Sequence, residues 1–199
     1  MHDVNLNVRI KASWSLANLC DSLVGVTYVI VNYAHILPIN LLLYREKSNG
    51  SEVITEEVPR ETLLSIARSA LDGARDNDKV RSNAVRALGY FMRFASGTLF
   101  AETDNTMDLF TSIIKTLIAN TQESSAKVRW NACYALGNLF HNEMALTFSR
   151  SSVVAAMDAL VVLVQTASNF KVCVHFSNLY CAENNLAGFL RCGLMPAWR

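Results

Sequence analysis

Three segments of this chain align with one another without a gap, and that alignment narrows the folds open to it more than any other feature. They begin at Val8, Val80 and Val128. Each reads Val, Arg at +1, Ala at +4, Leu at +8, a small residue at +9 and Leu or Phe at +11. Offsets of 0, 4, 8 and 11 fall on one stripe of an α-helix, so the apolar members share a face. Small residues at +4 and +9 let another helix approach closely. An ordinary amphipathic helix has no need of Ala and Gly at the same offsets three times.

Each of the two later copies follows another amphipathic run. Leu63, Leu64, Ile66, Ala67, Ala70 and Leu71 precede the second, and Leu109, Phe110, Ile113, Ile114, Leu117 and Ile118 precede the third. A further run (Val153, Val154, Met157, Leu160, Val161, Val164) leads into a fourth start at Val172. The unit is therefore helix A, a short polar turn, and helix B opening with Val-Arg. Starts at Val80, Val128 and Val172 are 48 and 44 residues apart, close to the helical-repeat range of roughly 40–47. Composition agrees. Eight Gly and three Pro in 199 residues are under half the usual share of roughly 12%. That scarcity argues against collagen, low-complexity disorder and turn-rich β-sandwiches or barrels. The expected class is all-α, an α-solenoid of antiparallel helix pairs.

Val-Arg-x-x-Ala-x-x-x-Leu-Gly after a helix and a polar turn resembles the HEAT and armadillo repeat families. The run from Val128 to Asn138, with Asn169, Phe170, Lys171 and Val172 following, is most similar to the family of HEAT repeat-containing protein 6 and its relatives. The repeat resemblance covers residues 3–23 and 61–172. It implies a curved superhelix that binds proteins. It also implies a ladder in which the Arg opening helix B pairs with acids in the turn before it. On that pattern Arg9 has Asp3, Arg81 has Asp76 and Asp78, and Arg129 has Glu123. Carboxylates there would also suit the positive end of helix B.

The pattern predicts six segments. Residues 1–23 hold a partial repeat with helix B only, 24–60 a non-repeat insertion and polar loop, and 61–100 and 101–150 one repeat each. Residues 151–172 hold helix A and the turn of a further repeat, and 173–199 a divergent tail. The insertion includes residues 23–43, of which 15 of 21 are apolar, long enough to cross a bilayer. Asn32, His35, Pro38 and Asn40 crowd its second half and disfavour that reading. Residues 24–33, aromatic and β-branched, suit a strand as well as a helix. In the tail, Phe176, Tyr180 and Glu183 stand where Ala, Leu and Leu or Phe are expected. We therefore expect a junction to unrelated sequence after Val172, as an alternative exon or misjoined gene model would produce. With no helix A before Val8, the residues Val8, Ala12 and Leu16 need a missing partner or the insertion to cover them. The chain reads as an excerpt from a longer solenoid, marginally stable or self-associating in isolation.

No catalytic, cofactor or metal site is legible. The four histidines (His2, His35, His141, His175) sit in no metal-binding pattern, and no nucleophile elbow or phosphate loop occurs. Cys133 and His141 lie eight residues apart on one expected helix, about 12 Å of rise, too far to share a proton. Cys173, His175, Cys181 and Cys192 match no common zinc spacing. Cys20 brings the cysteines to five, an odd number, with no C-x-x-C pair and no secretory signal ahead of them. Reduced thiols in the cytoplasm or nucleus are the default. The near-balanced charge of 18 basic and 17 acidic side chains leaves no footprint for nucleic acid.

What remains is surface. Trp14 and Asn18, Arg86 and Tyr90, and Tyr134 and Asn138 occupy the same i, i+4 offsets in the three copies. In armadillo proteins of the nuclear-import adaptor type a similar Trp and Asn pair holds an extended peptide, the Trp against side-chain stems and the Asn on the backbone. The alternative places Trp14 and Tyr134 between helices. The expected function is a non-catalytic interaction scaffold for protein partners. A peptide carrier of adaptor type is the runner-up, and a membrane-anchored scaffold using residues 23–43 comes third.

Overall fold

The computed structural model describes residues 3–33, 58–95, 97–100, 104–142, 145 and 149–166, and every structural statement below is made of these. The helices are α1 (Leu6–Tyr33), α2 (Arg60–Gly73), α3 (Asp78–Phe94), α4 (Gly97–Phe100), α5 (Asp104–Asn120), α6 (Ala126–Phe140) and α7 (Arg150–Thr166). No strand occurs among the described residues. The chain is all-α.

The three Val-Arg segments become α1, α3 and α6. They lie side by side: α1 packs along α3, and α3 along α6. α2 packs on α3, α5 on α6, and α7 on α5, which gives a second row of helices against the first. The shared stripe explains the arrangement. Val80, Ala84 and Leu88 of α3, and Val128, Ala132 and Leu136 of α6, are all 0% exposed. Most of the apolar run of α5 is also buried, with Phe110, Ile113, Ile114 and Leu117 at the interior. Aromatic rings tie the levels together. Phe91 meets Phe94 at 5.3 Å and Phe100 at 6.1 Å, and Phe100 meets Phe110 at 5.2 Å, all edge-on.

Small residues set the spacing between α3 and α6. A Cβ placed on Gly89 would lie 2.6 Å from the Ala135 Cα, so the two backbones meet at the +9 site of one copy and the +7 site of the next. Asparagines at +3 tie each helix of the row to the one before it, α6 to α3 and α3 to α1. Asn131 Nδ2 donates to the Ser82 carbonyl at 2.7 Å and to its hydroxyl at 2.9 Å, both buried. Asn83 Nδ2 donates to Ser13 Oγ at 3.3 Å. This Asn recurs at the same offset in two of the three copies. At the far end Asn142 Nδ2 donates to the carbonyls of Met92 and Ala95 at 2.7 and 2.9 Å, which serves acceptors that the end of α3 would otherwise leave open.

The boundary expected at residue 23 falls inside α1, which continues through 24–33 to Tyr33. β-Branched residues cost a helix only tenths of a kcal/mol each, and extending a formed helix adds a hydrogen bond without a new nucleus. A strand would need a pairing neighbour, and none exists among the described residues. Residues 34–57 of the insertion, the fourth start at Val172 and the divergent tail lie outside the described residues.

Candidate partner-binding surface

The six residues read from sequence come to lie across α1, α3 and α6. Arg86 Nη2 donates to Asn18 Oδ1 at 2.9 Å. Tyr90 meets Tyr134 edge-on at 5.9 Å, and Trp130 stacks on Tyr134 at 6.5 Å. Burial, with the Tyr134 hydroxyl and Asp21 nearby, pushes the Tyr90 phenol up to about 12. Trp14, at one end of the row, is 53% exposed. Asn138 is not on the surface: it is 2% exposed, and its Oδ1 accepts from Arg93 Nη1 at 3.4 Å. The asparagines expected to hold a peptide backbone are thus already engaged, Asn18 by Arg86 and Asn138 in the interior. Sequence offsets placed the row; they could not show that neighbouring arginines fill it.

The arginine ladder exists with a different register. Arg9 was expected to pair with Asp3 and instead grips Asp76, from Nε at 2.7 Å and from Nη2 at 3.2 Å. Its Nη1 donates to the Asp3 backbone carbonyl at 2.8 Å. Asp76 therefore serves Arg9 rather than Arg81. Arg81 lies 3.7 Å from Asp78 and 2.7 Å from Glu123. Arg129 touches Glu123 only through backbone, donating to the carbonyls of Glu123 and Ser124 at 2.7 Å. Each observed cross-helix rung runs forward, from the Arg of one helix to an acid in the turn that opens the next. Neighbouring helices in a row are ~8–10 Å apart, within reach of an extended arginine. Each rung therefore joins one helix pair to its neighbour, where the expected pairing would have tied a turn to itself.

One rung gives a pH prediction. The hydrogen bond from Arg9 holds the Asp76 carboxyl below its ordinary value, and the Asn77 amide adds to the effect. A depressed carboxyl contributes stability above its unfolded pKa and loses it as pH falls through the folded value. Asp76→Asn is expected to lower stability by ~0.5–1 kcal/mol at neutral pH. The gap between variant and parent should begin to narrow below about pH 4 and close only as pH falls through the depressed folded value, as read by thermal melts across pH. A gap that persists in acid would remove the ion pair as its cause.

The face of α1 opposite α3 is bare. At offsets 0, 4, 7 and 11, α3 presents Val80, Ala84, Ala87 and Phe91, and α6 presents Val128, Ala132, Ala135 and Leu139; all eight are 0% exposed. The matching residues of α1 are Val8 at 48%, Leu19 at 47%, and Ala12 and Ser15, both exposed. Leu16 is half-buried. The contrast at identical offsets separates a lack of cover from a difference in amphipathic pattern.

Reactive groups are few among the described residues. Burial pushes the thiols of Cys20 and Cys133 up to about 12, which keeps them protonated near neutral pH. Burial, followed by the charge of Arg93, lowers the pKa of His141. Among the described residues no group of three or more His, Cys, Asp or Glu gathers to hold a metal. Cys173, His175, Cys181 and Cys192 lie outside them. No described helix is long and apolar enough to cross a membrane; residues 34–43 of the apolar stretch fall outside the described set.

Comparison with known proteins adds a narrow anchor. No family model and no solved structure matches the chain. An uncharacterized protein of Dictyostelium discoideum is 43% identical over 95 residues, which are 48% of this chain and 5% of the relative. The match thus spans about one twentieth of that protein's length.

Proposed function

We propose that this chain is a non-catalytic protein–protein interaction scaffold, a segment of an α-solenoid of HEAT or armadillo type. Its matched Val-Arg helices would form the row presented to partners. The two rows of helices, the forward ladder and the repeated Asn contacts support the solenoid reading. The bare stripe on α1 carries the interaction reading, since equivalent stripes on α3 and α6 have no exposed surface. Apolar area left open at matched positions favours covering by another chain or another repeat.

Val8→Glu with Leu19→Glu charges this stripe without touching the packed core. In sedimentation the parent chain is expected to associate as its concentration rises. The double variant should remain monomeric with unchanged helicity by circular dichroism. A parent that stays monomeric and cooperative at every accessible concentration would overturn the reading.

A peptide carrier of import-adaptor type draws support from the exposed Trp14 alone, because Asn18 and Asn138 are occupied. Alanine at Trp14, Asn18, Tyr134 and Asn138 separates the two. A carrier loses peptide binding while keeping its helicity; a scaffold using the α1 stripe keeps its association.

A further inference from the structure

A groove of about 460 Å3 opens where the leading ends of α1, α3 and α6 come together. One lysine from each helix lines it: Lys11, Lys79 and Lys127. All three are exposed, and among the described residues none makes an ion pair. The one acid in the lining, Asp78, lies 3.7 Å from Arg81 and is partly matched already. Trp14 and Ile10 supply an apolar wall. We infer that this groove docks an acidic peptide segment, its carboxylates on the three lysines and an aliphatic side chain against Trp14. The inference rests on the scaffold reading only in taking the partner to be a protein.

Stability does not account for these lysines. Lys79 and Lys127 stand in the first turns of α3 and α6, directly before the Val of each motif. The positive end of a helix disfavours cations. Ser125, which opens α6 and lines the groove, makes no side-chain hydrogen bond to that helix, so its hydroxyl leaves the first amides open to an outside acceptor. Lysine ammoniums, helix-end amides and an indole wall all favour an anion with an apolar neighbour. A basic peptide would meet three like charges there. Nucleic acid demands a basic surface extending well beyond one groove, and the chain as a whole carries a net charge of only +1.

Geometry narrows the ligand further. Lys79 and Lys127 hold equivalent positions on adjacent helices, which pack ~8–10 Å apart. An extended peptide advances ~3.3 Å per residue, so acids two or three residues apart match that interval.

Fluorescence anisotropy can test this with three labelled probes. The first is an octapeptide with Glu at alternate positions, a central Leu and Ser elsewhere; the second replaces Glu by Lys; the third is an oligo-dT of similar length. The Glu peptide is expected to bind, and to weaken as salt screens the lysines. The Lys peptide should not bind. Lys79→Glu with Lys127→Glu should weaken the Glu peptide at least ~tenfold. The same variant should melt at or above the parent temperature, since it places acids at positive helix ends. Trp14→Ala should weaken binding at unchanged helicity. No binding of the Glu peptide, equal binding of both peptides, an unaffected double reversal, or oligo-dT binding as tightly as the Glu peptide would each overturn the inference. Concentration-dependent association through Val8 and Leu19 is read separately, so failure in this groove is distinguishable from failure of the scaffold reading.

Discussion

Phe91→Ala is expected to destabilise the chain by ~3–5 kcal/mol, while Leu19→Ala, at the same motif offset, should change it by less than ~0.5 kcal/mol. The two residues stand eleven positions after the Val of their copies, and sequence alone makes them equivalent. Phe91 is 0% exposed and meets two further rings, one of them on α4. Its removal leaves a void between α3 and the helices packed on it, and rigid neighbours can fill that only in part. Leu19 is already 47% exposed, and alanine is the better helix former. Denaturant unfolding of both variants beside the parent, at dilutions where the parent is monomeric, checks the contrast. Similar losses at the two sites would mean that the α1 stripe is covered in solution.

Gly89→Ala carries the second large effect, and its sign runs against helix propensity. In an open helix this change stabilises by ~1 kcal/mol. At Gly89 the new Cβ would lie 2.6 Å from the Ala135 Cα and 2.7 Å from its Cβ. The obstruction is partly backbone, so no rotamer change relieves it and α3 must move away from α6. Overpacking of this kind costs ~1–3 kcal/mol, and a backbone obstruction belongs at the upper end. The expected net loss is ~2 kcal/mol after the propensity gain. Gly25→Ala provides the internal control, since nothing approaches within 4 Å of its added methyl; it should stabilise by up to ~1 kcal/mol. A melting temperature that rises in both variants would show the α3–α6 contact to be looser than described.

Much of the interior was legible because it follows from periodicity. Val80, Ala84 and Leu88 could be assigned to a buried stripe before any coordinates, since 3.6 residues per turn leaves them no other shared face. The extent of α1 was not legible. Its last third is rich in Val, Ile and Tyr, and local preference for helix or strand among these residues is too small to choose. The partner of each ladder arginine was not legible either. Asp3 and Asp76 are equally good acids on paper, and only the lateral packing of α1 on α3 brings Asp76 to the Arg9 guanidinium. Asn138 shows the same limit. Its offset matches Asn18, yet one side chain is buried and the other bonded to Arg86.

The amino-acid sequence by itself determined where the repeated helices lie and which side of α3 and α6 turns inward, because apolar spacing and small-residue offsets act within a single turn of chain. Tertiary structure alone decided which helix became whose neighbour. That choice set which arginine met which acid, left the α1 stripe open, and brought three lysines spread over 116 residues of chain to the rim of one groove. Those outcomes depend on distances between elements, and nothing local to a segment encodes them.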